Sequence, residues 1–290
     1  MQERFTFESG GDTIVGNLFV PNAQPLGLVV TSGPLTSVKE QAAGAYAKAM
    51  AERGFAALAF DHRYFGESGG KPRQFEKPAA KIEDIRNAAT ALLADRRFQD
   101  LPVFGIGICF GAGPMARAAA GDGRFRRMAG IAGVYTDAAK TRASVGGNYE
   151  ALVDGARAAE RKFQETGQAD TIPAVAPDGG NVAMPLREAY EFYGTPRGAI
   201  ANYVNGFAVQ SRAYLLPFDA MGAASEMKAP FLIVHSERAL LPDLAKQFHA
   251  KLAAPKKELW LKSQGQIDFY DDPKLIGPSA DAAAAWFVAQ

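Results

Sequence analysis

Five short apolar runs, Leu26 to Val30, Phe55 to Phe60, Val103 to Ile108, Met128 to Val134 and Phe231 to Val234, constrain this chain more than any other feature. None shows the apolar/polar alternation of a strand with one wet face, so each reads as a strand buried on both faces. Helical patterns separate them. Gln41 to Arg53 follows a capping-box pair, Ser37 and Glu40, and stops at Gly54; Lys81 to Phe98 sets Ile82, Ile85, Ala89 and Leu92 on one face; Asp243 to Leu252 is a further helical stretch. Buried strands alternating with helices specify a mostly parallel, twisted α/β sheet flanked by helices. The opening differs: Arg4 to Glu8 and Thr13 to Val20 read as a hairpin around Ser9-Gly10-Gly11-Asp12.

The rhythm breaks between about Thr136 and Ser225, where no strand is evident and Tyr149 to Thr166, Pro185 to Tyr193 and Arg197 to Leu215 read as helices around a Pro/Gly loop at Ala169 to Asn181. An insertion between parallel strands lies over their carboxyl ends, where open α/β sheets bind ligands. The domain reading is therefore a core of residues 1–135 and 226–290 under a helical cap, 136–225.

With 48% hydrophobic residues in 290, the chain can build a sizeable core. A net charge of +1 offers no electrostatic footprint for nucleic acid or anionic lipid, so the expected partner is a small-molecule substrate. The start carries Glu3 and Glu8 and no apolar signal-like run, and the longest apolar stretch, Ala282 to Ala289, is far short of a bilayer span. These features predict a soluble, cytoplasmic protein with no membrane partner. The oligomeric state stays open, with a homodimer as the candidate assembly. One cysteine excludes an internal disulfide and a cysteine zinc site, and three scattered histidines make no metal cluster, so neither metal nor cofactor is expected.

That cysteine stands in Gly107-Ile108-Cys109-Phe110-Gly111, between a buried strand and a helix running to Ala120. G-x-C-x-G is the pattern of a nucleophile elbow, whose glycines let the chain turn sharply and display the central side chain. The helix N-terminus is expected to lower the thiol pKa and to offer N–H groups to an oxyanion. A dinucleotide site is not supported, because Phe110 falls where the last glycine of G-x-G-x-x-G belongs.

Together with Gly33-Pro34-Leu35-Thr36-Ser37-Val38-Lys39-Glu40-Gln41, Phe60-Asp61-His62-Arg63-Tyr64-Phe65-Gly66-Glu67-Ser68-Gly69-Gly70, Val234-His235-Ser236-Glu237 and Gln266-Ile267-Asp268-Phe269-Tyr270-Asp271, this elbow resembles the α/β-hydrolase superfamily, especially its dienelactone-hydrolase-like and fungal polyketide-transferase-like branches. The resemblance runs nearly end to end. It implies the α/β-hydrolase fold and a hydrolase or acyl transferase with Cys109 as nucleophile. The implied oxyanion donors are the N–H groups of Phe110 and Leu35, since Pro34 has none to give.

Two positions depart from the family pattern. Gln266 occupies the place of the catalytic histidine, and Ala239 stands where an acid is expected. Three explanations compete. Another histidine has taken over, His235 before His62, with His249 on a solvated helix face; or a thiolate at the helix terminus needs no base, leaving Gln266 to orient substrate or hold a water; or catalysis is lost and the scaffold binds a small apolar ligand or performs non-hydrolytic chemistry. The principal functional reading is a cysteine-dependent hydrolase or acyl transferase acting on an ester, lactone or thioester of a mid-sized apolar acyl group through a Cys109 acyl-enzyme. Tyr190, Tyr193, Tyr203 and Phe207, with Phe192 and Tyr214, would supply aromatic walls from the cap. Asp271 and Asp272 before Pro273 read as a solvated turn.

Overall fold

A computed structural model describes residues 1–289. Its main sheet has eight strands, beginning with the hairpin β1 (Gln2–Ser9) and β2 (Asp12–Phe19), whose turn places both Gly10 and Gly11 at positive φ. β3 (Leu28–Ser32), β4 (Ala56–Phe60), β5 (Val103–Ile108) and β6 (Phe125–Ile131) follow. A separate two-stranded ribbon, β7 (Thr171–Ile172) with β8 (Phe207–Ala208), lies within the insertion, and β9 (Phe231–His235) and β10 (Lys256–Trp260) complete the main sheet. The main-sheet order is β1-β2-β4-β3-β5-β6-β9-β10. β2 runs antiparallel to β1 and β4, and all other pairs are parallel. Every residue of β3, β4, β5 and β9 is buried, as continuous apolar runs require.

The helices are α1 (Ala42–Ala51), α2 (Pro78–Ala94), α3 (Ala112–Ala120), α4 (Ala138–Val145), α5 (Tyr149–Thr166), α6 (Arg187–Tyr193), α7 (Arg212–Leu215), α8 (Ala223–Glu226), α9 (Pro242–Lys251), α10 (Asp268–Asp271) and α11 (Pro273–Phe287). They cover both faces of the sheet, giving one core around Leu28, Leu58, Met115 and Phe231 and another around Tyr46, Phe55, Ile106 and Phe269. Among the described residues no helix is long and apolar enough to cross a membrane.

Several local expectations are corrected. β10 escaped the sequence reading because Lys256, Lys257 and Glu258 are exposed; it is a charged edge strand, which discourages pairing with another sheet. Ser37 and Glu40 do not cap α1. Ser37 Oγ donates to the Pro34 carbonyl at 2.8 Å, and Glu40 pairs with buried Lys39 at 2.9 Å, so both brace the loop after β3. Arg197 to Leu215 is not a helix but a turn, β8, a short 3-10 segment and one turn of α7, because Gly198, Asn205 and Gly206 interrupt its helical pattern. The insertion also closes before residue 225: the Thr136 carbonyl accepts the N–H groups of Ala220 and Met221 at 2.8 and 2.9 Å. Met221, Ala223 and Ala224 then pack into the main core.

Candidate active site

The turn after β5 is built by close contact. A Cβ on Gly107 would overlap the backbone of Ala112, and one on Gly111 would overlap the carbonyl oxygens of Ser32 and Gly33. With nothing at either position to hold it off, the chain bends from β5 into a 3-10 turn, Cys109–Gly111, and then α3. Cys109 takes φ 52°, a left-handed conformation that costs an ordinary residue about 1 to 3 kcal/mol and is held only by its surroundings.

Cys109 borders a cavity of about 310 Å³ between sheet and insertion. Its walls are apolar, with Leu35, Phe110, Val134, Met184, Leu240 and Ile267 among them. Cys109, Glu188, Tyr193, Gln266 and Tyr270 bring the polar atoms. The Phe110 N–H acts on the sulfur as a donor, and Leu35, which also lines the cavity, donates its N–H to no acceptor among the described residues. The Leu35 loop is held rigidly: Thr36, at φ 59°, donates its N–H to buried Glu76 at 2.6 Å, and Glu76 pairs with buried Lys81 at 2.9 Å.

Gln266 stands beside the sulfur and is fixed at both ends. Its Oε1 accepts the Leu240 N–H at 2.8 Å, and its Nε2 donates to the Ala132 carbonyl at 2.9 Å. The side chain thus ties the loops after β6, β9 and β10 together at the floor of the cavity. Gln266→Ala leaves both backbone groups unpaired, so a loss of about 2 to 4 kcal/mol is expected in urea unfolding with an unchanged slope. A midpoint equal to the parent's would show that these bonds contribute nothing.

The thiol is not activated in the way the helix terminus alone predicts. Burial pushes its pKa up, against the opposing effect of hydrogen bonds from the Tyr270 hydroxyl, the Phe110 N–H and Gln266, and the Glu188 charge raises it further. Desolvation of a thiolate outweighs a helix terminus in so closed a site. The direction of this shift favours a neutral thiol over a self-ionised thiolate.

No histidine is among the described residues that line the cavity. His235 is wholly buried at the end of β9, with Nδ1 at 3.0 Å from the Ser236 carbonyl and its ring against Trp260, and it does not line the cavity. His62 belongs to a structural network: Nε2 meets Ser32 Oγ at 3.0 Å, Nδ1 meets Asp84 at 3.3 Å, and Asp84 also accepts from Arg63 and Ser9 at 2.7 Å. Ser32, His62 and Asp84 have the order of a catalytic triad but are sealed in the core, where no substrate reaches them. His249 lies on α9 opposite Glu258. Of the expected aromatic walls only Tyr193 lines the cavity. Tyr203 stacks behind it at 5.3 Å, Tyr190 packs against the core, and Phe207 is buried in the β7–β8 ribbon. Asp271 pairs with Arg197, and Asp272 caps α11 by accepting the Lys274 N–H.

Two polar cavity residues had no role assigned from the sequence. Tyr270 has a positional signal, four residues beyond Gln266 on the short α10, so both side chains return to one place. Glu188 has none, because a glutamate on an amphipathic helix reads as solvated surface.

An eight-stranded mixed sheet with a strained elbow after its fifth strand and a ligand cavity at that elbow defines an α/β hydrolase, and the chain belongs to that family. The family model described as serine aminopeptidase, S33 matches residues 28–158. The protein PA2218 of Pseudomonas aeruginosa is 31% identical over 276 residues, covering 90% of this chain and 73% of that one. YcjY of Escherichia coli is 28% identical over 270 residues, covering 89% and 87%. The crystal structure of PA2218 superposes with a TM-score of 0.86, at 27% identity, over 99% of this chain and 92% of the other. The α/β hydrolase GrgF from Penicillium sp. sh18 shares the fold with a TM-score of 0.82 over 97% of both chains at 21% identity.

Proposed function

We propose that the chain is a Cys109-dependent hydrolase or acyl transferase for an ester, lactone or thioester of a mid-sized apolar acyl group. The observation that carries this reading is the strained Cys109 in an apolar cavity that Phe110 and Leu35 also line. Sγ would attack the carbonyl carbon as the carbonyl π pair moves onto oxygen, and the thiol proton would pass to the leaving alcohol or thiol. Collapse breaks the bond to the leaving alcohol or thiol and leaves the acyl group on sulfur. A volume of about 310 Å³, roughly ten water volumes, has room for an acyl group of about ten heavy atoms.

The second reading is a hydrolase scaffold that holds an apolar ligand without turning it over, favoured by Gln266 at the histidine position and by the neutral thiol. Trapping separates the two. A series of p-nitrophenyl esters from acetyl to dodecanoyl, quenched in acid and read by intact mass and peptide mapping, is expected to give a single acyl adduct on Cys109, strongest at intermediate chain length. Ligand displacement without any adduct would favour the second reading.

A further inference from the structure

The cavity holds one charged side chain among its described lining residues, and it comes from the insertion. Glu188, near the start of α6, places its carboxylate against the loop that carries Gln266. Its Oε2 accepts the N–H of Gln266 at 3.0 Å and that of Ile267 at 3.4 Å. Gly265 makes this approach possible, because a Cβ there would overlap Oε2. Oε1 takes no hydrogen bond among the described residues. Glu188 is only part-buried, so this second oxygen is open to water in the cavity that Cys109 also lines.

We infer that Glu188 is the general base that draws a proton from the water hydrolysing acyl-Cys109, supplied by the insertion in place of the absent histidine. The inference rests on the acyl-enzyme reading above. Water gives one proton to Oε1 as its oxygen bonds to the acyl carbon, with the carbonyl pair moving onto oxygen. Collapse breaks the C–S bond, the acid departs, and the proton on Glu188 passes to the leaving sulfur. That last transfer is downhill, since the buried thiol holds its proton more tightly than an ordinary cysteine. Tyr193 and Tyr270, the other titratable groups at the cavity, are held protonated by burial and serve as donors only.

The test follows p-nitrophenyl octanoate in a stopped-flow burst, with intact mass read in parallel. Glu188→Gln, which keeps an acceptor for the two N–H groups, is expected to release about one equivalent of nitrophenolate at least as fast as the parent, because the charge that raises the thiol pKa is gone. It should then turn over 10² to 10⁴-fold more slowly while the Cys109 adduct accumulates. Should that variant not fold, Glu188→Ala carries the same test, with added formate expected to speed decay of the adduct. Parent-like turnover of Glu188→Gln, loss of the burst itself, or adduct decay indifferent to formate would each overturn the inference while leaving Cys109 in place. An absence of adduct in every variant, with Cys109→Ala as active as the parent, would instead overturn the reading beneath it.

Discussion

Cys109→Ala is expected to abolish turnover of the activated esters while leaving the unfolding midpoint close to that of the parent. Alanine keeps the backbone and Cβ but has no nucleophilic atom, and no second cysteine exists to replace it. The change removes one sulfur from a side of the cavity already open to ligand, so little packing is lost. Cys109→Ser divides the possibilities further. A hydroxyl is far harder to deprotonate than a thiol, and no histidine stands near enough to help, so a residual rate below a thousandth of the parent is expected. Iodoacetamide offers a check that needs no substrate. Because burial pushes the thiol pKa up, alkylation of the parent should be slow near neutrality and rise only as pH climbs above the ordinary range of cysteine. Fast labelling at pH 7 would contradict the neutral thiol, and parent-like hydrolysis by Cys109→Ala would sink the nucleophile assignment.

Gly111→Val is expected to cost about 3 kcal/mol or more, and hydrolysis with it, although residue 111 touches no substrate. Its Cβ would meet the carbonyl oxygens of Ser32 and Gly33 at the end of β3, where Ser32 is paired with Gly107 of β5. Backbone cannot step aside as the tip of a side chain can, so β3, the elbow or both must move. The same movement would displace the Leu35 loop, which leaves β3 at that point. Urea unfolding measures the loss. Gly123→Ala provides the contrast, since a Cβ there meets nothing within 4 Å, and its midpoint should stay within about 0.5 kcal/mol of the parent. Equal stability of the two variants would show that the elbow is looser than its contacts require.

The sheet, the elbow and the insertion were legible in the amino-acid order because each is written in local chemistry. Val103 to Ile108 must be buried on both faces, Gly107 and Gly111 permit a turn that other residues forbid, and Tyr149 to Thr166 carries one apolar stripe that forms α5 as read. β10 was not legible, since an edge strand can be charged on both faces. Neither was the use of Ser37 and Glu40, whose capping pattern lost to partners far away in sequence: Asn202, for one, reaches Glu40 at 3.0 Å.

The sequence by itself determined that a single thiol would sit on a strand-to-helix turn with glutamine at the usual histidine position. Only the tertiary structure decided what surrounds that thiol. Glu188, Gln266 and Tyr270 arrive at one cavity from the insertion and from the segment after β10, while His235, at the end of β9, does not line it. The protonation of the sulfur was likewise beyond local reading. A helix N-terminus is visible in a string of residues, but the desolvation that outweighs it depends on how completely the packed walls exclude water, and that is a property of the folded chain alone.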